Sequence, residues 1–510
     1  MAFNRERVVW ISPEKTPRFR STKPTAIMGG MLIDFTPYER LPSFHGEFSS
    51  RALGTLVDFL RQKMGVIIGF DNRVFPQGDA ALAGAGQFAD KLRKNGILRS
   101  FVRARLMPDE PPMHLWSAIT NMTEEGHQVG GSSAESDEKA LMATFAEGLE
   151  RYIWYLESDY FVRPIFDTEK NVSKKGRYIG ASKWASFSKE QRAQNPEREL
   201  RDDAAYLWIQ GTSLVSGKPV YIPAQLVSGK RDIRMMHGSR EPLIRPHTTI
   251  GLATWPTKAG AQLAGALEAV EREAYMILWL NQLSLPRINL ETLEQENTPL
   301  AKLLKRCAKY GITVHAIQML TDAPTHAICV VLEDETDTAP RFTVGLKAHR
   351  SIRYAIEKAI TEALRSRRGY RVFAASGKKW DDSTPASDVG HRERLYYWGV
   401  HAEEMRFMVT GKKIDAPSTP WDEDSEEEHL RRIATWCRDS QLECVSVSLG
   451  HSKKNPTDLH IEMVLMPELQ PTYLFEQHRS FGGARWKTVP EKFGIASRSK
   501  PFDTHPHPFS

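Results

Sequence analysis

The chain has 510 residues, of which 41% are hydrophobic and 26% are charged. This composition is typical of a globular protein, and the length predicts two to four structural units rather than one small core. The net charge is only +6 and the basic residues are spread along the chain, so no nucleic-acid-binding surface is predicted. No segment approaches a run of about 18 apolar residues, and the first residues lack the apolar stretch of a secretion signal. We therefore expect no membrane span and a cytoplasmic protein.

The cysteines and histidines do not indicate a metal or disulfide framework. The four cysteines show no Cys-x-x-Cys spacing, and none of the 16 histidines forms a ligand pair near them. The cysteines are Cys307, Cys329, Cys437 and Cys444. Structural zinc and a disulfide-stabilised fold are both unexpected.

Residues 1–94 are predicted to form an N-terminal extension, with a helical pattern from Ser50 to Met64. The sequence DAALAGAGQFADKLRKNG at 79–96 is rich in glycine and alanine but lacks Gly-Lys-Ser/Thr, so a helix is predicted rather than a phosphate-binding loop. ILRSFVRARL and MHLWSAIT then predict two strands around a proline-rich loop. The following Gly130 and Gly131 lie where a backbone is able to approach phosphates.

Two long, apolar helices, predicted at Lys139–Leu156 and Thr257–Leu280, share an unusual pattern of acidic residues. Between Ala140 and Leu156 the only charged side chains are Glu147, Glu150 and Arg151, and helical periodicity places Leu141, Phe145 and Leu149 on a separate, apolar face. The stretch Thr257–Leu280 repeats the Glu-x-x-Glu-Arg spacing. Its members are Glu268, Glu271 and Arg272.

Glutamates three residues apart on a helix are neighbours, so two facing pairs would place four carboxylates in one small space. Such a group needs a cation, and Mg²⁺ prefers oxygen ligands that it shares with substrate phosphates. Most isolated Glu-x-x-Glu-Arg sequences are surface ion pairs, and this alternative remains open for either copy alone. The repetition favours a carboxylate-lined site for a nucleotide and magnesium.

The rest of the chain predicts alternating strands and helices, and hence an α/β fold of mixed α+β type. AAYLWIQGTSL and KPVYIPAQLV predict a hairpin that turns at Gly217, and THAICVVLED and RFTVGLKAH predict two more strands. A helix is expected from Ser351 to Arg368. Its Glu362, Arg365 and Arg367 form a phosphate or carboxylate clamp, or the two arginines are ordinary partners of the helix dipole. The helix HLRRIATWCRDS and the strands LECVSVSLG and LHIEMVLMP follow.

Two polar segments are predicted to be surface insertions, residues 170–201 and residues 376–427. The charges of the first segment are interpreted as a solvated face. The proline-rich end, residues 501–510, is unsuited to a helix or a central strand, and on its own a terminal segment of this kind is typically disordered.

Taken together and in this order, several pieces of the sequence resemble the YcaO-type ATP-dependent cyclodehydratases. They are NGILRS, the helix with Thr144, Glu147, Glu150 and Arg151, YIPAQLV, TTIGLAT, the helix with Glu268, Glu271 and Arg272, AITEALRSRR, LMPELQP and PHPFS. The resemblance spans 95–510, which we expect to be one catalytic domain.

The resemblance implies a YcaO-like fold, with mixed sheets packed by long helices and ATP held between the helices. It implies that the four glutamates coordinate Mg²⁺ on ATP, and that Arg151, Arg272 and Arg367 contact phosphate. In the azoline-forming branch a short Pro-x-Pro tail enters the active site, and Pro506–Ser510 looks like that tail. We expect the carboxylate of Ser510 to act as general base or to position one.

The implied reaction takes place on a ribosomally made precursor peptide. A Cys, Ser or Thr side chain attacks the preceding carbonyl, the oxyanion accepts the γ-phosphoryl group of ATP, and loss of phosphate leaves a thiazoline or oxazoline. The sequence shows no evident Ser-His-Asp or Cys-His set, which fits a nucleophile that belongs to the substrate. No leader-binding segment is recognised, so we expect a separate leader-binding partner. A flavin-dependent azoline dehydrogenase and a homodimer within a larger complex are further options.

Some positions depart from the family pattern. Val129-Gly130-Gly131 stands where Gly-Lys-Gly is usual, Thr249-Ile250-Gly251 and Trp255-Pro256 replace segments with asparagine, and Arg365 replaces a glutamine. These departures keep two alternatives open: a thioamide-forming or auxiliary enzyme of the same type, and a non-catalytic scaffold that binds peptide.

Overall fold

The computed structural model describes residues 25–28, 31–34, 83–104, 106–107, 109–157, 164–230, 233–235, 241–336, 340–375, 402–449, 455–503 and 505–509. The helices are α1 (Ala83–Lys94), α2 (Asp137–Glu157), α3 (Glu169–Val172), α4 (Lys189–Ala193), α5 (Lys258–Asn281), α6 (Glu291–Glu294), α7 (Pro299–Lys309), α8 (Ile352–Ala375), α9 (Glu426–Asp439) and α10 (Arg485–Lys492). The helix predicted from Ser50 to Met64 lies outside the described residues. Within the described part of the chain, no helix is both long and apolar enough to cross a bilayer.

The strands are β1 (Thr25–Met28), β2 (Met31–Asp34), β3 (Leu98–Arg103), β4 (His114–Thr120), β5 (His127–Ser133), β6 (Ile165–Thr168), β7 (Ala205–Ser213), β8 (Pro219–Pro223), β9 (Leu252–Trp255), β10 (Arg287–Ile288), β11 (Ile312–Gln318), β12 (His326–Asp334), β13 (Phe342–His349), β14 (Lys413–Ile414), β15 (Val445–Ser448) and β16 (His460–Leu465). The strands β1 and β2 pair with each other as an antiparallel hairpin.

The first layer is the three-stranded antiparallel sheet β3-β4-β5, which is covered by α1 and α2. The side chain of Ser136 accepts a 3.2 Å hydrogen bond from the amide of Lys139, so it caps α2 at its start. For Gly130 and Gly131 the sequence predicted only that the backbone is able to approach phosphates here. The structure places both glycines in the strand β5, which packs tightly on α2. A Cβ on Gly131 would lie 2.5 Å from the carbonyl oxygen of Ala140, so only glycine fits here.

The second layer is a sheet with the order β6-β7-β15-β16-β9, and β8 also pairs with β7. The hairpin β7–β8 turns at Gly217, which has a φ of 70°, as the sequence predicted. The strand β9 is short and follows Gly251, whose φ of 89° favours glycine.

The third layer is the sheet β13-β12-β11-β10-β14, which is antiparallel except for the parallel pair β10–β14. The helix α8 lies on β12 and β13. The central helix α5 contacts β9 and β16 of the second sheet and β12 and β13 of the third, and therefore joins the two layers. From Ala274 to Asn281 it is buried on all sides, which explains its continuous apolar sequence.

Segments predicted to be peripheral contribute to the core. In residues 170–201, Trp184 is 2% exposed and packs with Val172 in the same hydrophobic cluster as α2. In the described part of 376–427, Met405 and Met408 are fully buried, and β14 extends the third sheet. The helix α1, inside the expected N-terminal extension, packs on α2. The polar composition of these segments does not reveal their buried residues, because a few buried side chains are enough to fix such a segment on the core.

Candidate functional site

A cleft of about 810 Å³ lies among α2, α5 and α8, the long helices of the three layers. All four predicted glutamates line it, two from α2 and two from α5, and Glu362 of α8 joins them. The structure therefore brings together Glu147, Glu150, Glu268, Glu271 and Glu362. A second cleft of about 820 Å³ lies near Trp421 and Trp436 and contains none of the predicted site residues.

Three of these carboxylates are held by backbone amides. Glu268 accepts a 3.0 Å hydrogen bond from the amide of Gly251 just before β9. Two amides of β13 bond the other two carboxylates, each at 2.6 Å: Ala348 bonds Glu271, and Leu346 bonds Glu362. In each case one oxygen is fixed by the amide, so the orientation of the carboxylate is set before any ligand binds.

The carboxylates share the cleft but do not form a preassembled metal site. Among the described residues, no three Asp, Glu, His or Cys side chains lie close enough together to hold a metal ion. The expectation of four carboxylates in one small space is thus met only in part. Like charges repel, and each pair is drawn towards its own arginine. Mg²⁺ usually binds one or two carboxylates and takes its other ligands from phosphates and water, so this arrangement suits a metal that arrives with a nucleotide.

Two of the three predicted arginines are ion-pair partners of the glutamates. Arg151 lies 3.7 Å from Glu147 and 3.9 Å from Glu150, and Arg272 lies 3.3 Å from both Glu268 and Glu271. Of the two arginines, only Arg272 lines the cleft. Arg151 therefore pairs with Glu147 and Glu150 from outside the cleft.

Burial and neighbouring charges shift the pKa values of two carboxyl groups in the cleft. Burial raises the pKa of Glu150 to about 8, against the pull of Arg151, and the charges of Glu147 and Glu268 raise it further. Burial likewise raises the pKa of Glu271, while Arg272 and Lys347 oppose the shift. Carboxyl groups whose pKa is raised by burial and by neighbouring carboxylates indicate a place where another cation is favourable. The oxygen-only donor set fits Mg²⁺.

Lys347, a residue that the sequence analysis missed, adds a cation to the cleft. It lies on β13 and lines the cleft, and within the described residues its ammonium group makes no direct hydrogen bond or ion pair. Burial opposes its charge, but Glu271, Tyr354, Glu268 and Glu362 raise its pKa above the usual value. Lys347 is the one charged residue in the sequence FTVGLKA, and its neighbours are buried. This isolated charge in an apolar strand was the sequence signal that could have identified Lys347 as a site residue.

Arg367 does not line the cleft, which corrects its predicted role as a catalytic phosphate contact. It is 2% exposed and lies 2.5 Å from Asp334 and 3.8 Å from Glu110. At about 100° per residue it points well away from the face of α8 that carries Glu362 and Arg365. Arg365 lines the cleft instead, and its guanidinium donates a 3.1 Å hydrogen bond to the carbonyl oxygen of Gly130.

The proline-rich end packs beside Arg272 of the cleft. The ring of Phe509 is 5% exposed and lies 4.3 Å from the guanidinium of Arg272. His507 is fully buried and donates a 2.8 Å hydrogen bond to the carbonyl oxygen of Tyr473, and the hydroxyl of Tyr370 bonds the carbonyl oxygen of Pro508 at 2.7 Å. Ser510 lies outside the described residues, so its predicted catalytic role stays a prediction.

Apolar side chains also line the cleft. Its lining includes Phe88, Met142, Trp255, Tyr354 and Leu459. A cleft that combines an apolar wall with converging charged groups is typical of a binding site for a small organic anion.

Residues 131–470 match the sequence model of a family described as YcaO cyclodehydratase, ATP- and Mg²⁺-binding. No curated protein matches the sequence significantly. The fold is similar to that of a heterocyclase solved in complex with substrate and cofactor, at 18% identity and a TM-score of 0.67. The match covers 89% of this chain and 60% of the heterocyclase, so this chain spans about 60% of that protein's length.

Two further solved structures share the fold. YcaO from Methanopyrus kandleri, bound with AMPPCP and Mg²⁺, is 15% identical with a TM-score of 0.54, covering 78% of this chain and 92% of that protein. A chain of the E. coli microcin synthetase McbBCD complex with pro-MccB17 bound is 15% identical with a TM-score of 0.51, covering 72% of this chain and 88% of that one. These likenesses confirm the predicted mixed α/β fold.

Proposed function

We propose that this chain, which belongs to the YcaO cyclodehydratase family, forms azolines in a precursor peptide. The description of the family confirms the predicted cofactors, ATP and Mg²⁺. The substrate side chains are Cys, Ser or Thr of a ribosomally made peptide, and the products are thiazolines or oxazolines. ATP phosphorylates the backbone amide oxygen, which turns a poor leaving group into phosphate.

One observation carries this proposal: carboxylates from three layers line a single cleft, and three of them are fixed by backbone amides. Glu147, Glu150, Glu268 and Glu271 would hold Mg²⁺, which would neutralise charge on the triphosphate. Two of these four side chains, Glu268 and Glu271, are already oriented by backbone amides, so they need little rearrangement when the metal binds.

The chain's own residues support the reaction in two ways. Arg272, Lys347 and Arg365 line the cleft as cations and would bind the phosphate oxygens. The ring of Phe509 packs on the guanidinium of Arg272, and we propose that the segment 505–509 shields this part of the cleft from water. Ser510 follows this segment, and we propose that it supplies, or positions, the base that accepts the proton of the attacking side chain.

We also propose protein partners. A separate leader-binding protein would present the precursor, and a flavin-dependent dehydrogenase would oxidise azolines to azoles where the product requires it. Support comes from the similarity to one component of a synthetase that was solved as a complex with its pro-peptide. A homodimer within such a complex is compatible with the proposal.

Two measurements on the purified chain with a leader-binding partner test the proposed function. Incubation with ATP, Mg²⁺ and a Cys/Ser/Thr-rich precursor should release ADP and phosphate and remove one water per ring from the peptide mass. Glu268→Gln should abolish both. Replacement of an amide oxygen by sulfur without ring formation would favour a thioamide-forming enzyme, and peptide binding without ATP hydrolysis would favour a scaffold.

A further inference from the structure

Trp255, at the end of β9, presents an unusually exposed indole to the cleft. Its side chain is 38% exposed, and Met142 and Tyr354, at 38% and 37%, line the same cleft. Among the described residues five large hydrophobic side chains are exposed, and these are three of them. Exposed apolar groups that concentrate in one cleft mark a surface that a ligand covers.

The indole is held in one orientation by a residue from a distant part of the chain. Glu426, the first residue of α9, accepts a 2.7 Å hydrogen bond from Nε1 of Trp255 and a 2.8 Å hydrogen bond from the hydroxyl of Thr257. The ring lies directly over Gly260, where a Cβ would approach it to 1.9 Å. The orientation of the indole ring is therefore fixed without any ligand.

Trp255 is separated from Glu268 along the cleft. Glu268 bonds the amide of Gly251, and Trp255 follows four strand-like residues later, about 13 Å away at 3.3 Å per residue. The helix gives a similar distance, because Gly260 under the ring and Glu268 are eight residues apart, or about 12 Å. This separation is comparable to that between the base and the terminal phosphate of an extended nucleotide.

We propose that the indole of Trp255 is the stacking surface for the purine base of the nucleotide, and that Glu426 is the positioning residue that orients it. This inference rests on the proposed function, because it requires the triphosphate to lie beside the carboxylates. A flat, rigid aromatic face suits a purine because stacking needs parallel planes and little ordering on binding.

Calorimetric titration with Mg²⁺ and two probes, AMPPCP and inorganic tripolyphosphate, tests the inference, since only the first probe carries a base. Trp255→Ala should weaken AMPPCP binding roughly 5- to 150-fold, the range for loss of one base stack, and leave tripolyphosphate binding unchanged. Trp255→Phe should retain most of the affinity. Glu426→Ala should weaken AMPPCP binding less than Trp255→Ala does.

The controls separate this inference from the function on which it rests. Phe493→Ala removes an aromatic side chain that is 50% exposed outside this cleft, and it should change neither titration. Lys347→Met should weaken both probes, since it removes a cation near the phosphates. Circular dichroism checks that each variant remains folded.

The outcomes are distinct. If the unaltered protein binds AMPPCP and Trp255→Ala binds it equally well, the stacking role is wrong and the proposed function stands. A loss of precursor-peptide binding alone in Trp255→Ala would also overturn the stacking role. If the unaltered protein does not bind AMPPCP with Mg²⁺, the proposed function fails and the inference fails with it.

Discussion

Glu271 of the central helix accepts a 2.6 Å hydrogen bond from the backbone amide of Ala348 in the third sheet. One carboxylate oxygen is thereby tied to β13, while the other lies 3.3 Å from Arg272. The side chain of Glu271 therefore both joins the central helix to the third sheet and supplies a charged group to the cleft. This link makes the carboxylate rigid, and rigid carboxylates are suited to receive a metal that is already bound to phosphates.

Glu271→Gln should separate these two roles. A glutamine carbonyl still accepts the amide of Ala348, so we expect little change in thermal stability, but the loss of charge should reduce ATP turnover by roughly 100-fold or more. The matched control is Glu273→Gln on the same helix, outside the cleft. Glu273 is 1% exposed and bonds Arg485 at 2.8 Å, so this variant should lower stability and leave AMPPCP affinity intact in the folded protein. Equal effects of both variants on turnover would contradict the assignment.

The affinity for nucleotide and Mg²⁺ should rise with pH up to about 8. The pKa of Glu150 is raised to about 8, so below this pH its carboxyl group holds a proton that a cation must displace. Calorimetry in two buffers of different ionisation enthalpy should detect proton release at pH 7. Glu150→Gln should lose that release, and a pH-independent affinity in the unaltered protein would contradict the prediction.

Lys347→Met should affect the protein differently with and without its ligand. The ammonium group balances several carboxylates, so its removal should lower the melting temperature of the free protein. Mg²⁺ with AMPPCP should then stabilise the variant less than it stabilises the unaltered protein, because a phosphate contact is missing. Lys347→Arg keeps the charge and should behave as an intermediate. Thermal melts over a range of nucleotide concentrations measure both effects.

Arg371 and Arg365 should give opposite results although they lie on the same helix. Arg371 is 1% exposed and forms two hydrogen bonds to Asp109, at 2.7 and 2.9 Å, next to the Arg367 contacts. Arg371→Ala should lower the free energy of unfolding by about 3–5 kcal/mol, since it leaves a buried carboxylate unpaired. Arg365→Ala should leave stability nearly unchanged and weaken nucleotide binding. Denaturant melts and calorimetry compare them, and a stable Arg371→Ala protein that fails to bind nucleotide would contradict this division.

The helices of the site were predictable because their sequences carry strong periodic patterns. Lys139–Leu156 and Thr257–Leu280 correspond to α2 and α5 within two residues at each end. The strands β5 and β9 were missed for a different reason. The first contains Gly130 and Gly131, which have low strand propensity, and close packing requires glycine at Gly131. The second has only four residues.

The arrangement of charges was only partly predictable. Spacing alone placed the four glutamates in one cleft, but it gave no sign that backbone amides would hold three carboxylates of the cleft apart. The error at Arg367 arose because a motif locates a residue along a helix without fixing which face meets the ligand. The roles of Lys347 and Trp255 depend on contacts with residues far away in the sequence.

The most direct test of the central claim is calorimetric titration of AMPPCP with and without Mg²⁺, for the unaltered protein and for a variant with Glu147, Glu150, Glu268 and Glu271 all changed to glutamine. We predict saturable binding that requires Mg²⁺ in the unaltered protein and none in the folded variant. Binding that is independent of Mg²⁺, or that survives the loss of all four carboxylates, would contradict the account.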